Sequence, residues 1–280
     1  MKTAVIDVGG GLRGIYAVGV LDYCMQNGIT FDVGIGVSAG SANLASFFAG
    51  QKCRNYKFYM EYAARKEYMS FHNFMHKKNY VDLDYVYGTL SNADGEYPLD
   101  YAALKANPAE FIVVATNAVT GRVKYFDKSD MAQDNYDILK ASSAMPYLCR
   151  PYNIGGVPFY DGELGDPVPV EKAIQMGCDK IILILSESKD VPRSQGKDVK
   201  LASELRKEFP RAADEVERRA EMFNSGVELA KKYESPGKVL IIAPDDTCGI
   251  DTIRHDAEAM KKLYEKGLDG GKKVLPYING

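Results

Sequence analysis

A chain of 280 residues with 46% apolar and 26% charged residues has the composition of an ordinary globular protein, long enough to bury one large α/β core, which excludes a disordered or fibrous chain. A net charge of -3, with both signs mixed along the chain, leaves no broad basic footprint and argues against DNA or RNA binding. The five cysteines (Cys24, Cys53, Cys149, Cys178, Cys248) are odd in number and widely spaced without a CxxC pair, so they read as reduced thiols, with neither a disulfide framework nor a zinc site.

Met1 leads directly into a strand-like segment with no basic n-region, apolar h-region or cleavage site. The longest apolar stretches, such as Ile181 to Leu185, fall far short of the ~20 residues a membrane-spanning helix needs. A cytoplasmic chain with at most peripheral membrane contact is therefore expected. Thr3 to Val8 is a short apolar run ending in three glycines, followed by Ile15, Val18, Leu21 and Met25 at helical spacing: strand, glycine turn, helix. Phe31 to Gly36 reads as a second strand and Ala39 to Ala49 as a buried helix. Tyr56 to Met75, rich in aromatic and basic residues, is read as helical, with packing the use of most of its Tyr and Phe side chains. Phe111 to Thr116 is a buried strand, and Thr120-Gly121 suggests a hairpin into Val123 to Phe126. Asp137 to Ser143 is a helix stopped by Pro146, Ile154 to Tyr160 a strand region interrupted by Gly155-Gly156, and Val170 to Met176 a helix.

Lys180 to Leu185 is the clearest core strand. From Val199 to Tyr233 the pattern is helical, with Pro210 opening a helix whose stripe of Val216, Ala220, Phe223, Val227 and Ala230 reads as core packing. Lys238 to Ala243 is a last strand and Asp251 to Tyr264 a last helix. Strands alternating with helices predict a doubly wound, largely parallel α/β sheet, taken as one domain over residues 1–280 with a helical C-terminal portion from about 199.

Three elements carry chemistry. Gly36-Val37-Ser38-Ala39-Gly40 is a GxSxG pattern that follows a strand and opens a helix, where a nucleophile elbow must sit; a helix N-cap serine between two packing glycines is the bland reading. Gly9-Gly10-Gly11-Leu12-Arg13-Gly14 satisfies the GxGxxG dinucleotide fingerprint, but Asp32, the acidic residue at about the right spacing, stands at the start of its strand. The better reading is an anion cradle, with the backbone N–H groups of Gly10 and Gly11 facing an oxyanion and Arg13 bracing the loop or attracting an anionic headgroup. As base, His255 is formally possible although it falls in a polar helix, and Asp161 of Asp161-Gly162-Glu163 is the better candidate. An ordinary Asp-Gly turn is the bland alternative.

In the order glycine cradle, GxSxG, Asp-Gly, these elements resemble the patatin-like phospholipase family. Ala141-Ser142-Ser143-Ala144-Met145-Pro146 is similar to that family's ASxAxP segment, Asp161-Gly162 stands where its DG[GA] motif falls, and the likeness spans roughly Thr3 to Leu185. The resemblance implies a three-layer α/β/α fold and a serine acyl hydrolase of lipid esters, phospholipid or lysophospholipid. Ser38 would be the nucleophile and Asp161 the base, with Gly9, Gly10, Gly11, Arg13 and Gly14 around the oxyanion, Gly36, Gly40 and Gly162 in support, and no cofactor or metal. Glu163 departs from the family, which usually has Gly or Ala there, and a second carboxylate can raise the proton affinity of Asp161 or crowd the site. The rival readings are a nucleotide-binding enzyme using the Gly9–Gly14 loop and a catalytically weak lipid-binding or interaction protein.

Overall fold

In a computed structural model, which describes residues 1–196 and 198–280, the strand, turn and helix repeats of the N-terminal half form the middle of one mixed sheet. The chain runs β1 (Thr3–Asp7), a 3-10 turn (Gly11–Gly14), α1 (Ile15–Gln26), β2 (Val33–Val37), α2 (Ala39–Phe48), α3 (Arg54–Lys57), α4 (Phe71–Lys77), α5 (Tyr101–Ala106), β3 (Glu110–Asn117) and β4 (Val123–Asp127). It continues through α6 (Asp137–Ser142), β5 (Tyr152–Ile154), β6 (Val157–Asp161), α7 (Val170–Gln175), β7 (Lys180–Ile184), α8 (Asp198–Leu205), α9 (Pro210–Glu234), β8 (Val239–Ile242), α10 (Ala257–Gly271) and α11 (Val274–Asn279). Strands β3, β2, β1, β7 and β8 are parallel neighbours in that order. Antiparallel strands extend one margin: β4 and β6 pair with β3, and β5 pairs with β6.

Alternate residues of the central strands feed opposite faces, as the two-residue period of a strand requires. Val5, Ile182 and Ile184 join a core with α1, α2 and α10, while Ala4, Ile6, Ile181 and Leu183 join a second core with α7 and α9. The result is the doubly wound three-layer α/β/α arrangement expected from the alternation. Pro210 is the first residue of α9, and its stripe from Val216 to Ala230 is buried.

Two helices differ from expectation. Tyr56 to Met75 is not one helix: α3 passes into a π-helical turn (Phe58–Tyr62), the chain breaks, and Ser70 starts α4 afresh by accepting from the Asn73 amide. The last long helix begins at Ala257, because Asp251 accepts from the amides of Ile253 and Arg254 at 2.8 and 2.7 Å, closing a local turn that competes with helix. Asp256 then caps α10 by accepting from the Ala259 amide at 3.1 Å, so His255 lies in an irregular stretch outside the helix.

The edge of β3 is the feature that builds the site. Residues 112–116 face β4 on one edge, so β2, beside 110–114, and β6, beside 115–117, must share the other edge end to end. Val37 is paired with Val114 and Asp161 with Ala115, so the residue after β2 and the last residue of β6 are brought together although 123 positions separate Ser38 from Asp161. The buried Thr116 hydroxyl fixes this junction by donating to the Asp161 carbonyl at 2.8 Å. Thr116→Val keeps the shape but leaves that buried carbonyl without its donor, which typically costs about 1–3 kcal/mol. Urea denaturation should register a loss in that range.

Candidate active site

Ser38 occupies the turn between β2 and α2 with φ 56° and ψ -132°, a left-handed-side conformation that a non-glycine residue adopts only when its surroundings impose it. The imposing groups are visible. The Ser38 amide donates to the Ser142 hydroxyl at 3.0 Å, and that hydroxyl also meets the Ser41 hydroxyl at 2.9 Å. A β-carbon at Gly36 would strike the backbone of Ser41, and one at Gly40 the backbone of Asp7. The sharp turn therefore needs both glycines of the GxSxG pattern, and it needs Ser142, which the sequence marks only as part of a motif.

Asp161 is 1% exposed and closes β6. Its Oδ2 accepts from Ser38 Oγ at 2.7 Å, its Oδ1 accepts from the Glu163 amide at 2.9 Å, and its own amide donates to the Ala144 carbonyl at 2.9 Å. Gly162 lies against the Val114 carbonyl with no space for a side chain. Hydroxyl and carboxylate are thus held together from both sides. His255 is elsewhere, its Nε2 3.1 Å from the Tyr59 carbonyl, and His72 and His76 sit against each other on α4.

Gly9, Gly10 and Gly11 all have positive φ (71°, 112° and 60°), and a β-carbon on any of them would collide, respectively, with the Val37 carbonyl, the Ser186 hydroxyl and the Thr252 carbonyl. The loop is therefore wedged directly against the serine turn. Its anchor is a residue the sequence reading passed over: Asp7, 1% exposed, accepts from the Gly9 amide at 2.9 Å and from Asn43 Nδ2 at 2.9 Å. Asn43 also reaches the Gly14 carbonyl at 3.3 Å, and the Tyr59 hydroxyl donates to the Gly11 carbonyl at 3.3 Å. The Gly9 amide is consequently committed to Asp7 and cannot serve an oxyanion. The Gly10 and Gly11 amides have no hydrogen-bond acceptor among the described residues, and each glycine shares a cavity wall with Ser38. Arg13 braces the loop through an ion pair to Glu187 at 2.9 Å.

The profile of the patatin-like phospholipase family matches residues 8–174. The chain belongs to this family. The family is one of lipid acyl hydrolases. A second profile, that of a domain of unknown function (DUF6363), matches residues 209–279, the stretch holding α9, β8, α10 and α11. A curated relative, the uncharacterized protein YjjU of Escherichia coli (strain K12), is 30% identical over 188 residues, which are 65% of this chain and 51% of that protein. The chain therefore spans about half the length of the curated relative it matches. Among solved structures, VipD from Legionella pneumophila superposes with a TM-score of 0.52 at 14% identity, over 98% of this chain and 66% of that one, a likeness of fold.

Within the patatin-like pattern the departure at Glu163 has a structural counterpart. Its carboxylate is paired with Arg193 and lies 3.4 Å from Arg219 Nη1, and Arg219 is also held by Asp198 at 2.5 Å. Burial alone would push Glu163 up, but the guanidinium groups of Arg193 and Arg219 outweigh it and hold the carboxyl below its ordinary range. Asp161 shifts the other way, to about 7, first because burial disfavours its charge and second because Glu163 is a neighbouring anion. Asp7 is likewise pushed up to about 6 by burial, against the pull of Asn43 and the Gly9 amide.

Ser38 stands between two cavities of different character. One, of about 580 Å³, is lined by the charged groups Arg13, Glu163, Glu187, Arg193, Arg219 and Asp251. The other, of about 50 Å³, reaches both Ser38 and Asp161 and is walled by apolar side chains that include Met69, Val81, Leu83 and Leu148.

A carboxyl whose folded pKa lies above its unfolded value binds more protons in the fold, so it subtracts stability as pH rises from about 4 to about 7. Asp161→Asn removes that burden while its amide can still donate to Ser38 Oγ. Thermal melts should therefore show the variant gaining on the parent at pH 8 and gaining little or nothing at pH 4. An equal effect at both pH values would contradict the raised pKa.

Proposed function

We propose that this protein is a serine acyl hydrolase that cleaves carboxylic ester bonds of lipids, phospholipid or lysophospholipid, through a Ser38–Asp161 dyad without cofactor or metal. The observation that carries the reading is the 2.7 Å hydrogen bond from Ser38 Oγ to a buried carboxylate, made at a strained strand-to-helix turn beside the glycine loop. Asp161 takes the hydroxyl proton as Ser38 Oγ attacks the ester carbonyl, and the carbonyl oxygen becomes an oxyanion facing the Gly10 and Gly11 amides. The tetrahedral intermediate collapses, the leaving alcohol takes the proton back from Asp161, and an acyl ester remains on Ser38. Water then attacks the acyl carbon while giving its proton to Asp161. Release of the acid returns the proton to Ser38.

An ordinary aspartate is a poor base at neutral pH. The buried environment that lifts Asp161 to about 7 brings it close to the working pH, where a general base is most effective. Backbone donors at the oxyanion supply much of the remaining rate, each worth roughly a factor of 100 to 1,000 in kcat. A nucleotide phosphate fits the loop poorly, because the Asp7 carboxylate lies buried beneath it. We place the protein in the cytoplasm as one α/β domain over residues 1–280, in peripheral contact with membrane. Its five cysteines are free, and no described helix is long and apolar enough to cross a bilayer.

Ser38→Ala and Asp161→Asn should each abolish turnover of a short-chain aryl ester while far-UV circular dichroism stays unchanged. A fluorophosphonate should label Ser38 and no other residue, and turnover by purified Ser38→Ala would end the proposal. In Glu163→Gln the neighbouring anion is gone, so the acid limb of the kcat/KM profile should move to lower pH. A limb that stays in place would show that Glu163 does not tune the base.

A further inference from the structure

Helix α4 is built inside out. Its polar residue Asn73 is 5% exposed and donates from Nδ2 to the Glu67 carbonyl at 3.0 Å, tying the helix to the body. Its apolar residues Phe71, Phe74 and Met75 are 69%, 40% and 54% exposed and lie at i, i+3 and i+4 on one face, with the two rings stacked at 6.0 Å. Large apolar side chains grouped in solvent mark a surface that is covered by something in use. Packing, the use expected of these aromatics from the sequence, accounts for neither ring.

The surroundings indicate the occupant. Although the chain carries a net charge of -3, residues 65–80 hold four basic side chains, Arg65, Lys66, Lys77 and Lys78, against one acidic, Glu67. Arg65 and Lys77 are paired with Glu96 and Asp82, whereas Lys66 and Lys78 are exposed and form no ion pair among the described residues. Aromatic groups beside unpaired lysines match the boundary of an anionic bilayer, where rings enter the acyl region and ammonium groups meet phosphates. The position agrees with this. The two ends of the segment are joined by an antiparallel bridge between Met69 and Val81, and both residues wall the small apolar cavity that reaches Ser38 and Asp161.

We propose that α4 is a membrane-docking element that inserts Phe71, Phe74 and Met75 into an anionic phospholipid surface and sets the mouth of the apolar cavity against the lipid. Its meaning for catalysis rests on the hydrolase reading, but docking can be measured apart from it. In the Ser38→Ala background, which spares the lipid, the protein should sediment with vesicles of equal parts phosphatidylglycerol and phosphatidylcholine and much less with phosphatidylcholine alone. Replacing Phe71, Phe74 and Met75 by serine should reduce partitioning by at least about tenfold, in line with the apolar area withdrawn from lipid. Lys66→Gln with Lys78→Gln should cost several-fold on the anionic vesicles only, as expected of roughly 1 kcal/mol per lysine near the surface.

In the otherwise unaltered enzyme, the triple serine variant should keep its turnover of a soluble short-chain ester and lose hydrolysis of vesicle lipid. Partitioning unchanged by the triple substitution would overturn the proposal. So would failure of the parent to bind vesicles together with a shift from dimer to monomer in the variant, which would make this face a contact between copies. Vesicle binding by a protein that hydrolyses no ester would leave docking intact and remove the hydrolase reading instead.

Discussion

The candidate site depends on one shared strand edge. Because β2 and β6 occupy the same side of β3 end to end, the hydroxyl that follows β2 and the carboxylate that ends β6 are placed in contact by sheet hydrogen bonds, with no loop required to reach across. This geometry is stiff. A slip of β6 by one residue would turn Asp161 to the other face of the sheet and put its neighbour in its place. The Thr116 hydroxyl, the Ala144 carbonyl and the close approach of Gly162 to Val114 all act on that register, so they hold the contact between Ser38 and Asp161.

Buried charge is the second organising constraint. Asp7 and Asp161 are removed from water and Glu163 largely so, and each is handled differently. Glu163 has two guanidinium partners and stays ionised. Asp161 has hydrogen-bond donors but no cation in contact, so burial and the neighbouring Glu163 anion raise its proton affinity. Asp7 has two donors and no cation, and its role is mechanical: its two oxygens hold the start of the glycine loop and, through Asn43, helix α2. A carboxylate left without a counter-ion is expensive unless it is hydrogen-bonded. At Asp161 that expense appears as a raised proton affinity.

Much of this was legible in the chain. Short continuous apolar runs located the central strands and helical periodicity located α9, and the GxSxG and Asp-Gly elements named the two residues that the fold brings to 2.7 Å. What was not legible follows from the range over which residues act. Asp7 looks like one residue of an apolar strand, because its partner Asn43, 36 positions on, becomes a neighbour only when α2 packs against β1. Ser142 was visible as a motif, but its bond to the Ser38 amide spans 104 positions. The start of α10 was misplaced because Asp251 offers its oxygens to the backbone just ahead, a local competition that apolar periodicity does not register. The inside-out face of α4 was missed for a related reason: aromatic content signals burial on average, and only coordinates show which rings were left outside.

Glu163 links the two profile-matched stretches physically. A carboxylate at that position, where the family usually carries Gly or Ala, would be an uncompensated anion next to Asp161 if its partners came only from the patatin-like match that ends at 174. Both of its partners come from beyond that point: Arg193 from the segment after β7, and Arg219 from α9, inside the stretch matched by the second profile. The same region completes the sheet through β8 and wedges Thr252 against Gly11. The C-terminal portion therefore does more than cover one face of the sheet. It supplies the guanidinium groups that offset the Glu163 charge beside Asp161, and without them the two carboxyl groups would compete more strongly for a proton.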